Sequence, residues 1–233
     1  MCTVTFLPKA DSHFILTHNR DEHHLRSIAS LPEVKMMHGT EIITPTDTHA
    51  GGTWIAVSKD YTLCLLNGGF TKHKHSPPYR HSRGKIIPDF FQYGDVVRFA
   101  AEYDLQNIEP FTLIIVDNKN KQVNQLIYDE SKIHHKVLTN HEPHIWSSTT
   151  LYSADDIKRR KAFFDRFLQK TKFTQEDIIK FHTNTFEEYE SEGIQINRND
   201  ILKTVSLTSI SKSEAISMYY EDFIQHQSVT IDL

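Results

Sequence analysis

"MCTVTFLPKADSHFILTHNRDE" spans residues 1–22 and holds two short runs rich in Thr, Val, Phe and Ile, residues 3–8 and 13–18, around the polar segment "KADS". Two such runs with a polar break between them predict an antiparallel hairpin. Cys2 then opens the first strand, and "THNRDE", residues 17–22, closes the second. The pairing brings Arg20 and Asp21 close to the start of the chain. Cys2 is small enough for aminopeptidase removal of Met1, which would leave an α-amine beside a thiol. With reference pKa values of about 7.7–8.0 and about 8.5, the two could act as base and nucleophile within one residue. Arg20 could stabilise the thiolate, and Asp21 could hold the α-ammonium or orient the neutral amine. Two plainer readings stand beside this one. Cys2 can be merely a small residue, and Arg20–Asp21 merely a solvated ion pair at a strand end.

Further extended runs follow at "EIITP" from Glu41, "TWIAVS" from Thr53 and "YTLCLLNGGF" from Tyr61. From Arg83 to about Tyr103, the spacing of Ile86, Ile87, Phe90, Phe91, Val96, Val97, Phe99 and Ala100 predicts two helices interrupted near Gly94. Strands return at "FTLIIVD", "QVNQLIYD" and "HHKVLT". An amphipathic helix is expected between Ala154 and Gln169, and a second from Thr174 in "TQEDIIKFHTNTFEEY", where Thr174 and Asp177 form a capping-box pattern. "KTVSLTSISKSEAISMYYED" predicts two strands hinged at Ser211 to Ser213. Sheet at both ends with helices grouped between predicts an α+β fold rather than βαβ units.

With 233 residues, 38% hydrophobic and 11% aromatic, the chain can bury a core within a single domain, 1–233. Its 26 Lys+Arg against 30 Asp+Glu, with no basic stripe, argue against a nucleic-acid partner. "FTLIIV" ends after six residues at Asp117, far short of the roughly 18–20 apolar residues of a membrane span. No leader pattern is visible at the start, and the only cysteines, Cys2 and Cys64, suit a reducing compartment; a cytoplasmic protein is expected.

"MCTVTF" with "HNRDE", then "GGTWIAVS" from Gly51, "LLNGGF" from Leu65 and "SRGKIIPDF" from Ser82, resemble the NRDE family, which includes the transport and Golgi organisation protein 2 homologues. The resemblance runs to about Arg160 and more weakly through "KTVSLTSI". The family is similar to N-terminal nucleophile (Ntn) hydrolases of the penicillin V acylase and bile-salt hydrolase type, which implies a four-layer αββα sandwich. It also implies a nucleophile at Cys2, with Arg20 and Asp21 supporting it and Asn67 as the first oxyanion donor. Asn19, Trp54, Gly68, Arg83 and Ser148 are the candidate substrate contacts.

Several of these positions have a structural alternative. Asn67 can be a turn residue at φ > 0 before two glycines. Trp54 can pack between layers, the better of its two readings. Gly51 and Gly52 would let the backbone approach the nucleophile strand. Ser82 could cap the next helix while Arg83 reaches an anionic ligand. In "WSSTTLYS", where relatives carry Ser-Asn, this chain has Ser147 and Ser148, so a hydroxyl would replace an amide donor. The late Arg of the hydrolases has no secure counterpart, since Arg198 lies too far upstream of "KTVSL" and Lys203 is only a nearby cation.

The 15 histidines include His23 and His24, His73, His75 and His81, and His134, His135, His141 and His144, but no HExxH or Cys-rich spacing; neither metal nor cofactor is expected. Cys64, between apolar neighbours, is expected to be a small buried hydrophobe. The resemblance implies an amidohydrolase or acyltransferase acting on the C–N bond of a small acyl amide. The alternative is a noncatalytic carrier of a lipid, acyl-CoA or haem.

Overall fold

A computed structural model describes residues 2–23, 25, 28–169, 172–185 and 193–233. In chain order the elements are β1 (Cys2–Pro8), β2 (Phe14–His23), β3 (Glu33–Met37), β4 (Thr40–Thr44), β5 (Ile55–Ser58), β6 (Tyr61–Asn67), α1 (Ile86–Tyr93) and α2 (Val96–Glu102). They continue with β7 (Phe111–Asp117), β8 (Gln122–Tyr128), β9 (Ile133–Leu138), β10 (His144–Ser147), α3 (Ala154–Phe167) and α4 (Gln175–His182). The chain finishes on β11 (Asn197–Arg198), β12 (Leu202–Lys212), β13 (Ile216–Asp222) and β14 (Gln227–Asp232). Helix and antiparallel sheet are mixed as the α+β expectation has it. Met1, His24 and the last part of the run from Thr174, residues 186–189, lie outside the described residues.

The chain divides into two compact units, residues 1–26 with 142–232, and residues 27–141. The first unit carries the sheet β10-β1-β2-β12-β13-β14, with β11 paired to β12. Its first hairpin has the expected register, Cys2 opposite Arg20 and Phe6 opposite Leu16. Side chains directly opposite in an antiparallel pair share a face, and successive residues alternate. Thr3, Thr5, Leu7, Ile15, Thr17, Asn19 and Asp21 therefore line one face. Leu7 and Ile15 of that face pack with Phe163, Phe164, Ile178 and Phe181 of α3 and α4. Both helices begin on capping boxes, Ser153 with Asp156 and Thr174 with Asp177.

The second unit is the meander β3-β4-β5-β6-β7-β8-β9. Leu63, Leu65, Phe111, Leu113, Ile115 and Leu126 form a core with Ile86, Ile87, Phe90 and Phe99 of α1 and α2. The helices meet at Gly94, as the break in periodicity indicated. Cys64 points away from that core and is fully buried, with Ile114 opposite Cys64 in the next strand.

Gly52 has a partner the sequence did not suggest. A Cβ there would stand 2.5 Å from the carbonyl carbon and oxygen of Gly84, and Thr53 N donates to Gly84 O at 2.9 Å. Gly52 makes its close approach to the "SRG" turn, which joins two of the quoted motifs. Gly52→Ala is expected to cost about 1–3 kcal/mol, because one backbone would have to move off the other. Urea unfolding measures it, and an unchanged midpoint would show that the two segments can separate freely.

Candidate functional site

In the first unit, one cross-strand row gathers the candidate residues. Cys2 faces Arg20, Arg20 faces Ser206, and Ser206 faces Asp222. On the other side Thr3 pairs with Ser147, so the next position of that register sets Ser148 opposite Cys2, and Ser148 N donates to Cys2 O at 2.9 Å. Ser148, Cys2, Arg20 and Ser206 thus present their side chains on the same sheet face, all at most 4% exposed. Ser148 Oγ lies 2.9 Å from Thr150 Oγ1. The hydroxyl expected to stand in for an amide donor therefore already has a neighbour within its own turn.

Asp21 does not share that face. One residue beyond Arg20, it points to the helix side, where Tyr152 Oη donates to Oδ2 and Thr204 Oγ1 to Oδ1, each at 2.6 Å. A bulge in β12 between Thr204 and Ser206 keeps both Thr204 and Ser206 in register with β2. The sequence argument brought a cation and an anion to Cys2 together, but the period-two alternation divides them. Two carboxylates share Arg20's face: Asp222 in its row, and Glu22, whose Oε1 is 3.9 Å from Arg20 Nε. Lys203 is opposite Glu22, and Arg198 reaches the Tyr152 ring at 5.7 Å.

Beneath the hairpin lies a buried cation that sequence reasoning passed over. Arg160, 1% exposed, donates to Thr3 Oγ1 at 2.7 Å and Gly193 O at 2.6 Å, and its guanidinium sits 3.8 Å from the Tyr152 ring centroid. Burial raises the Asp21 pKa above the usual carboxylate value, while Arg160 and the two hydroxyl donors oppose the rise. Burial also pushes the Cys2 thiol up, and the Asp21 and Glu22 charges add to it. Tyr152, buried and beside Asp21, is held well above the ordinary phenol range.

Asn19 is built into the same underside. Its Nδ2 donates to His182 O at 2.8 Å and Ile194 O at 3.1 Å, and its Oδ1 lies 3.1 Å from His182 Nδ1. These bonds occupy the amide proposed as a substrate contact with bracing α4 and residue 194 against β2.

The other candidates belong to the second unit. Asn67 ends β6 opposite Phe111, and it is Gly68, at φ 96°, that takes the left-handed conformation of the turn. Thr112 Oγ1 donates to Gly68 O at 2.9 Å, which ties the turn to β7. Trp54 is 8% exposed, and its carbonyl accepts from Leu65 N at 2.8 Å. Ser82 Oγ accepts from Gly84 N at 3.3 Å, the cap expected there. Arg83 donates to Pro110 O at 3.1 Å and pairs with Glu109 at 3.2 Å. Glu109 also meets His73 and His75 at 3.3 and 2.9 Å, so two of the quoted histidines share a carboxylate with Arg83.

No helix among the described residues is long and apolar enough to cross a membrane. No curated protein matches the chain. A family model described as Transport and Golgi organisation 2 matches residues 1–227, which takes in every candidate site residue. With nearly its whole length matched, the chain belongs to the Transport and Golgi organisation 2 family.

Proposed function

We propose that this chain is a cytoplasmic N-terminal nucleophile hydrolase, an amidohydrolase or acyltransferase acting on a small acylated molecule through Cys2. The observation that carries the reading is the row Ser148–Cys2–Arg20–Ser206. It puts a thiol between a hydroxyl and a guanidinium at the end of a fully paired strand. Each unit supplies a seven-stranded antiparallel sheet and a helix pair, the content that a four-layer αββα arrangement of one 1–233 domain requires.

In the proposed reaction, Cys2 Sγ attacks the amide carbonyl carbon as its proton passes to the α-amine freed by loss of Met1. The C–N bond breaks, and the amine leaves with that proton. Water, or a second nucleophile in acyl transfer, then takes the acyl group from sulfur and restores the thiol. Arg20 lowers the cost of the thiolate. Asp21, fixed by Tyr152 and Thr204, provides a rigid anion for the α-ammonium. The resemblance assigns the first oxyanion donor to Asn67, and Asn67→Ala is then expected to lower turnover about 100-fold or more.

Intact mass and thiol labelling test this reading together. The mature chain is expected to lack Met1, to alkylate at Cys2 near neutral pH, and to turn over acyl amides that Cys2→Ala leaves intact. Retention of Met1 with full amidase activity would defeat it.

The buried, proton-retaining thiol favours a second reading, a noncatalytic carrier of a lipid, acyl-CoA or haem. A carrier would alkylate slowly at Cys2 whatever its N-terminus, and Cys2→Ala would bind ligand as the wild type does.

A further inference from the structure

The face that carries Cys2 holds buried polar groups that the proposed reaction leaves unused. One row in from Cys2 and Arg20, His18 of β2 faces Thr208 of β12, which faces Tyr220 of β13. His18, Thr208 and Tyr220 are fully buried and Ser206 is 1% exposed. Both ring nitrogens of His18, Thr208 Oγ1 and Ser206 Oγ make no hydrogen bond. The Tyr220 hydroxyl stands close enough to Ser206 and Asp222 to feel both, without hydrogen-bond geometry to either. Buried polar groups in folded proteins are almost always satisfied, because a bond left unmade forfeits the hydration the group had in water. Four neighbouring unmade atoms on two adjacent strands mark a place built for something else to bond.

The donors decide what that is. His18 is neutral, since burial and then the charges around it, Arg20 among them, hold its pKa well below the ordinary histidine value. A neutral imidazole offers one N–H, and the two hydroxyls can each donate. Arg20 adds a cation one row away. One acceptor able to serve several donors at once is an anion. Arg20 shares its row with Asp222 and its face with Glu22, 3.9 Å from Nε, and these charges favour a monoanion over a phosphate dianion. Asp222 Oδ1 accepts from Ile224 N and Gln225 N, both at 2.8 Å, which turns that oxygen into its own loop.

We infer that His18, Thr208, Ser206 and Arg20 form a carboxylate subsite next to Cys2, and that the substrate is a small amide carrying a carboxylate near its scissile carbonyl. Neighbouring strands lie about 4.8 Å apart and positions two apart on a strand about 7 Å, so the carboxylate would sit within about 10 Å of the sulfur. The substrate assignment rests on the hydrolase reading; the subsite itself does not.

The test uses butyrate and its neutral isostere butyramide, titrated into full-length protein with labelled histidines, as wild type and as Cys2→Ala. His18 ring resonances are identified by their loss in His18→Gln. Butyrate is expected to shift them saturably and to bind at least about tenfold more tightly than butyramide, a difference near 1.4 kcal/mol. Thr208→Val, close in volume, should weaken butyrate several-fold without lowering the unfolding midpoint of the unliganded protein, and Ser206→Ala should do the same. Equal responses to the two probes, or His18 signals unmoved by butyrate, would overturn the subsite. Because Cys2→Ala reports binding without turnover, retained butyrate binding in a protein with no amidase activity would remove the hydrolase reading and the substrate class alone.

Discussion

Arg160→Met is expected to destabilise the first unit by about 3–5 kcal/mol, the range for removing one partner from a buried charged network. Methionine keeps the apolar stem and much of the volume, so the loss isolates the guanidinium. That group donates to Thr3 Oγ1, to Gly193 O and, at 3.5 Å, to Ile194 O, and lies over the Tyr152 ring, 3.8 Å from its centroid. Without it, two carbonyls and a hydroxyl are left in a dry interior, and Asp21 loses the largest of the influences that hold its pKa down. Asp21 would then take up a proton more readily, which removes the anion the proposed mechanism needs under the Cys2 terminus. Urea unfolding at neutral pH reads the first effect, and a rise in the Asp21 carboxyl pKa by NMR reads the second. A stability loss below about 1 kcal/mol would mean that water can satisfy the groups Arg160 leaves, against its burial.

That network was only partly legible in the sequence. The hairpin, its register and the place of Cys2 follow from two β-rich runs around a polar break. The capping boxes and Gly94 mark the helices with similar clarity. Arg160 escaped because a charge is assigned to the wet side of a helix by habit, although it stands three residues after Ile157 and three before Phe163, on the apolar stripe of α3. The spacing carried the signal, and the charge obscured it. Arg20 and Asp21 show the converse, since strand alternation alone sends them to opposite faces. The sequence marks β3, β10 and β14 only weakly: β10 is only four residues long, and β3 and β14 are edge strands whose alternation is two apolar residues each, Val34 with Met36 and Val229 with Ile231, none of them buried. The unmade bonds of His18 and Thr208 could not be read at all, because satisfaction depends on neighbours that only the fold supplies.

Acid should unfold the first unit through His182, and the sign follows from its surroundings. Burial, and then the nearby Arg160 charge, lowers the His182 pKa from 6.5 to about 3. Nδ1 donates to Asn19 Oδ1 at 3.1 Å, because the Asn19 amide hydrogens are given to two carbonyls, and Nε2 then accepts from Thr5 Oγ1 at 2.8 Å. The folded chain thus holds the neutral ring at pH values where the unfolded chain binds a proton. A histidine with a depressed folded pKa contributes stability that is complete above its unfolded pKa and is lost as pH falls toward the folded one. Between about pH 6.5 and 3 this one group should make stability fall by about 1.4 kcal/mol per pH unit. His18, lowered by burial on the other face, adds a slope of the same sign. His182→Gln is expected to remove about one proton from the uptake on unfolding between pH 4 and 6, measured from urea midpoints across that range. In Arg160→Met the His182 component should shrink as well, because the cation that opposes the imidazolium is gone. An unchanged slope in His182→Gln would show that the ring is already protonated in the folded chain, and that its bonds to Asn19 and Thr5 are of a different kind.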